Sequence, residues 1–382
     1  MRILFAAIPA YGHLYPLMPL ALACAEAGHD VTVATGKPFV GRLPLPTIPQ
    51  QPDSLELDGV FAEAARRNPG VQGAGLVVGV FADVTSEAVV EVLVPALEEL
   101  QPDLIVYEGM NVGAGVAASV LGIPAVPYAI ALTHMGFALI HPEAMRYRRD
   151  LWISRGLHPP DTDPLLGQAF LDPTPPSLRR FNGDLDIPKI PIRPVGYAES
   201  VAQVPAWLEA PRTRLRVYLT LGTVSFGAVE VLTRAISDIS ALDVDLLVAV
   251  GPEGDPALLG EVSDNVRLER FVDQSRVLPL IDVMVHHGGT GSVLGALSAG
   301  VPQLLMPQGA DQFFNAEYLS EVGAARVVRN EEQEPGAIRA VVAGLLEPEA
   351  GERTVARQLQ AEIADLPSPA TVIPELVSLV SR

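Results

Sequence analysis

Cysteine and long apolar runs are scarce in this sequence, and each scarcity excludes a class of protein. Cys24 is the single cysteine among 382 residues, which excludes an internal disulfide and fits a reducing compartment. No run reaches the roughly 18 apolar residues of a membrane-spanning helix. The apolar start, residues 1–10, is interpreted as a first β-strand rather than a signal peptide, because a Gly-His turn and a helical pattern follow it. We expect a cytoplasmic protein without a membrane partner.

Positive charge is also scarce. The chain has 26 Lys and Arg against 45 Asp and Glu, which gives a net charge of −19. A nucleic-acid partner is therefore excluded on electrostatic grounds. Any anionic ligand has to be held by local hydrogen-bond donors rather than by the general field of the protein.

Two cofactor signatures are missing. The first strand is followed by the residues IPAYGH (8–13), which lack the G-x-G-x-x-G pattern of nicotinamide-dependent oxidoreductases. No His-x-x-x-His or Asp-x-Asp pair is placed to hold a divalent ion, so no metal cofactor is predicted.

What the sequence does contain is an alternation of buried strands and helices. A strand at 2–8, a helix and a strand at 31–35 form a βαβ unit, which predicts a parallel sheet with its functional loops at the strand C-termini. The proline-rich segment 43–52 is predicted to be a loop, and Pro95 is expected to kink or split the helix that begins near residue 89. Residues 131–180 are interpreted as an irregular, partly helical cap. A second alternation begins at 215–221, with later strands near 244–250, 266–270, 281–285, 301–306 and 324–328.

A glycine turn in the second alternation predicts an anion site. The turn, residues 286–292, follows a buried strand (281–285) and precedes a helical run (293–299). Glycines there let backbone N–H groups and a helix N-terminus approach a phosphate. The next strand, 301–306, leads to Asp311 and Gln312, whose side chains suit hydroxyl groups attached to that phosphate. Phosphate and hydroxyls together predict a nucleotide sugar as the ligand.

The run HHGGTGSVLGALSAGVPQLLMPQGADQFFNA resembles the donor-binding signature of family 1 bacterial glycosyltransferases that tailor antibiotics and polyketides. The resemblance implies an α/β protein of the GT-B fold, with two Rossmann-like parallel-sheet domains facing a central cleft. We expect an N-terminal acceptor-binding domain at 1–195, a linker at 196–212, a nucleotide-sugar-binding domain at 213–366 and a C-terminal helix, 367–382, that returns to the first domain.

The resemblance also implies site residues in the second domain. His287 is expected to contact the donor pyrophosphate, and Asp311 and Gln312 the sugar hydroxyls. The nucleobase is expected near Phe271 and Val272. The residues RFVDQ (270–274) depart there from the family's tryptophan-x-proline-glutamine signature. Of the two nucleotides, we favour thymidine diphosphate over uridine diphosphate. His286 is interpreted as a buried strand-end residue. The remaining expected contacts come from the two turns, at Thr223, Ser225, Gly288, Gly289, Thr290, Gly291 and Ser292.

His13 is the candidate general base. It follows the first strand at the start of a predicted helix, whose dipole favours the neutral imidazole that a base requires; the alternative is a structural histidine. A histidine in this turn is the base of the resembled family. Its partner carboxylate is predicted to be Glu108, with Asp83 as the alternative, and Glu108 could equally be an acidic residue at a helix N-terminus.

Together these residues and the resemblance predict an inverting, metal-independent transfer of a sugar or deoxysugar from a dTDP-sugar to a hydroxyl of a small hydrophobic natural product. No cofactor is expected besides the nucleotide-sugar co-substrate. The alternatives are an inactive auxiliary partner of a glycosyltransferase and another GT-B enzyme such as a sugar-nucleotide epimerase. The identities of the aglycone and the sugar, the choice between dTDP and UDP, transfer to oxygen rather than nitrogen or carbon, and the formation of a homodimer are left open.

Overall fold

The structure is a computed structural model, and it describes most of the chain. The described residues are 1–53, 55, 57–71, 74–132, 149–155, 169–179, 188–198, 204–222, 228–251, 254–309, 311–330 and 334–380. Much of the segment predicted as a cap, together with Thr223 and Ser225, lies outside these ranges.

The chain divides into two compact units. The first comprises Met1–Thr174, Leu178–Arg193 and Leu366–Arg382, and the second comprises Pro175–Ser177 and Pro194–Asp365. Each unit is built on its own parallel sheet, as expected for alternating strands and helices. The predicted α/β class is confirmed.

The sheet of the first unit has seven parallel strands in the order β3-β2-β1-β4-β5-β6-β7. Their bounds are β1 Arg2–Ala6, β2 Asp30–Thr35, β3 Thr47–Pro49, β4 Leu104–Glu108, β5 Ala125–Tyr128, β6 Phe170–Asp172 and β7 Lys189–Pro191. Strand β3 corrects the prediction that 43–52 is all loop; its proline is accommodated because β3 is an edge strand. Strand β6 lies in the segment predicted to be irregular.

Helices cover the sheet of the first unit. They are Tyr11–Leu14, Met18–Glu26, Leu57–Arg67, Ala74–Val78, Thr85–Leu100, Val112–Val120 and Pro369–Val380, with a π-helix at Gly79–Val84. Thr85–Leu100 continues through Pro95 without splitting, and the buried positions Val89, Leu93 and Leu97 anchor it on both sides of the proline. Helix Pro369–Val380 packs against Met18–Glu26.

The second unit has six parallel strands in the order β10-β9-β8-β11-β12-β13. The strands are β8 Leu215–Thr220, β9 Val244–Ala249, β10 Val266–Glu269, β11 Val283–His286, β12 Gln303–Leu305 and β13 Ala325–Val327. The α-helices are Ala206–Glu209, Ala228–Ser240, Gln274–Val277, Thr290–Ser298, Gln312–Glu321, Ala337–Leu346 and Gly351–Asp365. Short 3-10 turns occupy Pro176–Leu178, Pro256–Leu259 and Leu278–Leu280.

Both sheets share one topology, and it decides where the functional loops lie. In each, the first strand of the unit lies between the second and the fourth, which is the 3-2-1-4 order of doubly wound folds. The direction of winding reverses between the first and fourth strands, and ligands of such folds bind outside the C-terminal ends of the strands at this point. The relevant exits are those of β1 and β4 in the first unit, and of β8 and β11 in the second.

No single helix within the described ranges combines the length and apolar composition required to cross a membrane. Helices Gly351–Asp365 and Pro369–Val380 satisfy that test only as a pair, with a 50° bend between them.

Candidate functional site

His13 and Glu108 meet at the switch point of the first unit. The Nδ1 atom of His13 lies 3.1 Å from Oε1 of Glu108; the side chain of His13 is 20% exposed and that of Glu108 is fully buried. Glu108 ends β4, and His13 follows β1, the neighbouring strand. Of the two carboxylates proposed from sequence, the structure brings Glu108 to the histidine, while Asp83 forms an ion pair with Arg67 at 2.9 Å.

Backbone groups hold the Glu108 carboxylate in place. The N–H of Met110 donates to Oε2 (2.7 Å), and the N–H of Ile8 donates to Oε1 (3.5 Å). Glu108 precedes the helix Val112–Val120 and its cap residue, so it does not have the alternative role of an acidic residue in a first helical turn. An ionised carboxylate accepts hydrogen bonds only, so it selects the His13 tautomer with the proton on Nδ1 and the lone pair on Nε2.

The local structure around His13 differs from the prediction. Residues 11–13, expected to form a turn, lie in a one-turn helix, Tyr11–Leu14, and the longer helix starts only at Met18, after Pro16. His13 is thus the third residue of a one-turn helix rather than the start of a longer one, and the dipole effect on its imidazole stays a prediction. The carboxylate of Glu108 is the charged group that acts on the ring.

Phe81 stacks on His13, and two buried amides link the exits of neighbouring strands; none of the three was identified from sequence. The ring of Phe81, in the π-helix Gly79–Val84, stacks on the imidazole with centroids 5.7 Å apart and planes at 26°. Gln50, which is fully buried, donates to the carbonyl of Ala7 (2.9 Å) and accepts from Asn111 Nδ2 (2.9 Å). These amides therefore tie the exit of β1 to the exits of β3 and β4. Only the presence of polar residues in an otherwise apolar region could have signalled them.

In the second unit, two glycines make room for the imidazole of His287. A Cβ atom on Gly222, which follows β8 with a φ of +86°, would lie 2.7 Å from Cε1 of His287. A Cβ atom on Gly289 would lie 2.5 Å from Nε2 of the same ring. Side chains at these positions would displace the ring. The position of the imidazole at the β8–β11 switch point therefore depends on both glycines.

Both backbone groups of Gly288 are bound within the protein. Its N–H donates to Nδ1 of His286 (3.1 Å), and its carbonyl accepts from Nδ2 of Asn315 (2.9 Å). The φ of +92° explains the glycine, since other residues rarely adopt this conformation. Gly288 was expected to offer a donor to the ligand, but its N–H already has a partner in His286, and its contribution is to the shape of the turn.

The residues after the turn combine hydrogen-bonded side chains with backbone N–H groups at the start of a helix. Thr290 donates its hydroxyl hydrogen to Oδ2 of Asp311 (3.0 Å), and Asn315 donates to the same oxygen (2.9 Å). The hydroxyl hydrogen of Thr290 is therefore committed to Asp311, while its backbone N–H belongs to the first turn of the helix. Helix Thr290–Ser298 begins here with Gly289 as its N-cap, so the N–H groups of residues 289–292 belong to the open helix end.

Of the other residues predicted to contact the donor, Gln312 and Val272 already have part of their side chains engaged within the protein. Oε1 of Gln312 accepts from the N–H groups of Gln308 (2.8 Å) and Gly309 (3.1 Å), which closes the loop after β12 and leaves the amide NH₂ as its remaining polar group. The side chain of Val272 is part of the core, so only its backbone could contact a base, whereas Phe271 is 37% exposed.

Burial keeps both histidines of the turn neutral. It lowers the pKa of His286 to about 3, with a further lowering by His287 that the hydrogen bond to Gln303 opposes. Burial alone lowers the pKa of His287 to about 4.

These shifts predict loss of stability in mild acid. Below the ordinary pKa of 6.5 the unfolded chain binds more protons than the folded chain, so the free energy of unfolding falls as the pH decreases toward 4. Each histidine contributes a slope of up to about 1.4 kcal/mol per pH unit. Urea unfolding of the full chain between pH 7 and pH 5.5 should show this slope, reduced by one histidine's share in His287→Ala. Equal slopes for both proteins would contradict the buried, neutral state of His287.

Family models and known proteins match most of this chain. Models for the N-terminal and C-terminal domains of the erythromycin biosynthesis protein CIII-like family match residues 22–222 and 233–379. The L-demethylnoviosyl transferase of Streptomyces niveus is 33% identical over 385 residues, covering 97% of this chain and 96% of that protein. The 3-alpha-mycarosylerythronolide B desosaminyl transferase of Saccharopolyspora erythraea is 27% identical over 416 residues, covering 98% and 97%.

A solved structure shows the same fold. The glycosyltransferase SsfS6 of Streptomyces sp. SF2575, complexed with thymidine diphosphate, superimposes with a TM-score of 0.79 at 27% identity and covers 99% of each chain. The fold is therefore the GT-B fold of these enzymes. Since the two family models together span most of the sequence, the chain belongs to the erythromycin biosynthesis protein CIII-like family and is a glycosyltransferase of the kind that tailors natural products.

Proposed function

We propose that this enzyme transfers a deoxysugar from a dTDP-sugar to a hydroxyl group of a small hydrophobic aglycone, with inversion at the anomeric carbon and without a metal ion. The observation that carries the proposal is the contact of 3.1 Å between Nδ1 of His13 and the buried carboxylate of Glu108. A histidine held in this way has its lone pair on Nε2, as a general base requires.

The reaction follows from that arrangement. Nε2 of His13 removes the proton of the acceptor hydroxyl while the hydroxyl oxygen attacks the anomeric carbon from the side opposite the diphosphate. The new carbon–oxygen bond forms as the bond to the diphosphate breaks, and the configuration at carbon inverts. The proton ends on Nε2, and the resulting imidazolium is stabilised by Glu108.

The second unit offers the groups that would stabilise the departing diphosphate. The N–H groups of residues 289–292 lie at a helix N-terminus, where the dipole favours negative charge. The neutral imidazole of His287 can add one hydrogen bond. Asp311 is the carboxylate predicted to bind the sugar, and its Oδ2 atom is held by hydrogen bonds from Thr290 and Asn315.

Thymidine diphosphate is proposed as the nucleotide because SsfS6, a relative of the same fold, is described in complex with it. The exposed ring of Phe271 is available to stack on a base. The hydrophobic aglycone is proposed from the 3-alpha-mycarosylerythronolide B in the name of the Saccharopolyspora erythraea relative.

A binding titration tests the donor assignment without knowledge of the acceptor. Thermal shifts and calorimetry are measured with thymidine diphosphate, uridine diphosphate and NAD, each with and without chelator. We expect thymidine diphosphate to stabilise the protein by about 2.7 kcal/mol at a hundred times its dissociation constant, independently of chelator. His287→Ala should weaken this binding by roughly tenfold, the value of one hydrogen bond to a charged group.

The matched control is His29→Ala, because His29 lies near the amino group of Met1 rather than in either turn. This variant should bind thymidine diphosphate as wild type does. A requirement for a divalent ion would refute the metal-free mechanism, and unchanged binding by His287→Ala would refute the diphosphate contact. Binding of the donor without transfer to any aglycone, in a wild-type chain, would support the auxiliary-partner alternative instead.

A further inference from the structure

We propose that His286 and Gln303 are positioning residues for the donor-binding turn: they fix the Gly288 peptide and thereby aim the N–H groups of residues 289–292 at the diphosphate. This inference rests on the proposed function, because it assigns a role to residues beneath the proposed donor site. Both side chains are fully buried, and neither has been placed in contact with the ligand.

The hydrogen bonds permit a single arrangement of the pair. Gly288 can only donate through its N–H, so Nδ1 of His286 must accept and cannot carry a proton. The proton of the neutral ring is then on Nε2, which lies 2.8 Å from Oε1 of Gln303. If the amide of Gln303 were turned around, its NH₂ group would face the N–H at Nε2 of His286, and two donors would meet. The orientation of Gln303 and the tautomer of His286 therefore determine each other.

The Gly288 peptide is held from the opposite side as well. Asn315 is fully buried and donates to the carbonyl of Gly288, to Oγ1 of Thr290 and to Oδ2 of Asp311. A residue with a φ of +92° depends on its surroundings to keep that conformation, and here one partner holds its N–H and another its carbonyl. Rotation of this peptide would redirect the next N–H groups, which begin helix Thr290–Ser298.

The position of the pair argues against a role in simple packing. Strands β11 and β12 are otherwise apolar at this level, with Val285 and Leu304 in the core. A buried imidazole and amide cost free energy unless their hydrogen bonds are made, and here the bond they support ends on the turn itself. The pair thus links β12 to the glycine turn through two successive hydrogen bonds.

Two substitutions separate positioning from packing. In His286→Asn, the amide oxygen stands the same number of bonds from Cβ as Nδ1 and can still accept from Gly288. In His286→Gln, the amide lies at the distance of Nε2 and that acceptor is lost. We expect thymidine diphosphate to bind His286→Gln roughly tenfold more weakly, since a buried donor is left without a partner, and His286→Asn within about threefold of wild type.

Hydrogen exchange in the unliganded full chain, followed by mass spectrometry, provides a second measurement that needs no nucleotide. The peptide containing residues 287–293 should exchange faster in His286→Gln than in wild type or His286→Asn, while global stability in urea serves as the reference. If the two variants bind and exchange alike, the proposal is overturned. Failure of wild type to bind thymidine diphosphate would refute the proposed function, whereas the exchange result would still decide the role of His286.

Should His286→Gln fail to fold, Gln303→Leu tests the same link with a side chain of similar size. It removes the acceptor for Nε2 and frees the ring to adopt the other tautomer, in which Nδ1 opposes the N–H of Gly288. Faster exchange of the turn peptide and weaker nucleotide binding are expected. Wild-type values for both would overturn the proposal.

Discussion

His13→Ala is expected to lower kcat by about 10²- to 10⁴-fold, the range that a positioned general base contributes. Without the imidazole, the acceptor hydroxyl keeps its proton as the bond to the anomeric carbon forms, and water cannot replace a base held 3.1 Å from a buried carboxylate. The measurement is steady-state transfer from a dTDP-sugar to an accepted aglycone, with product followed by chromatography.

Two controls define the meaning of that loss. Thymidine diphosphate should bind His13→Ala as it binds wild type, because His13 belongs to the first unit and the glycine turn to the second. His29→Ala, a histidine substitution near the chain's amino terminus, should retain full turnover. Near-normal turnover by His13→Ala would remove this residue from the mechanism, and lost nucleotide binding would indicate a structural defect.

Glu108→Gln is the second large effect, with an expected fall in kcat of at least about 100-fold. The amide keeps the shape and can accept from the N–H of Met110, but it carries no charge to stabilise the imidazolium. It can also present its NH₂ group to His13, which favours the tautomer that lacks a lone pair on Nε2. Turnover should fall while KM for the donor changes little.

The double variant, His13→Ala with Glu108→Gln, tests whether Glu108 acts only through His13. Because Glu108 acts through His13, the variant lacking both should be no slower than His13→Ala alone. Losses that multiply would show that Glu108 contributes independently of the histidine. Asp83→Asn provides the matched acidic control: Asp83 pairs with Arg67, so removing its charge should leave kcat within a few-fold of wild type.

Much of the fold could be predicted from short stretches of the chain. Buried parallel strands appear in a sequence as continuous apolar runs, and helices appear as apolar residues at helical spacing. The regular succession of the two predicted two α/β domains. Weak elements were missed for the opposite reason. Strand β3 has three residues, one of them a proline, so its pairing at the edge of the sheet, rather than its own sequence, makes it a strand.

The candidate site divides in the same way. The glycine turn was predicted because glycines between a strand and a helix form a local pattern. The sequence predicted Glu108 rather than Asp83 from its place at the exit of a strand, but neither residue has a fixed sequence spacing to His13, so only the structure showed which carboxylate meets the histidine. Gly222 and Gln303, which shape the second site, lie 65 and 16 residues away from His287 along the chain, and no local pattern marks them.

The sequence by itself determined the types of element, the glycine turn and the residues available for chemistry, since these depend on neighbours within a few positions. Only the tertiary structure decided which strands lie side by side. The 3-2-1-4 order places β1 beside β4 and β8 beside β11, so His13 meets Glu108, and Gly222 meets His287. Strand order depends on contacts between distant segments, which single-chain periodicity does not encode.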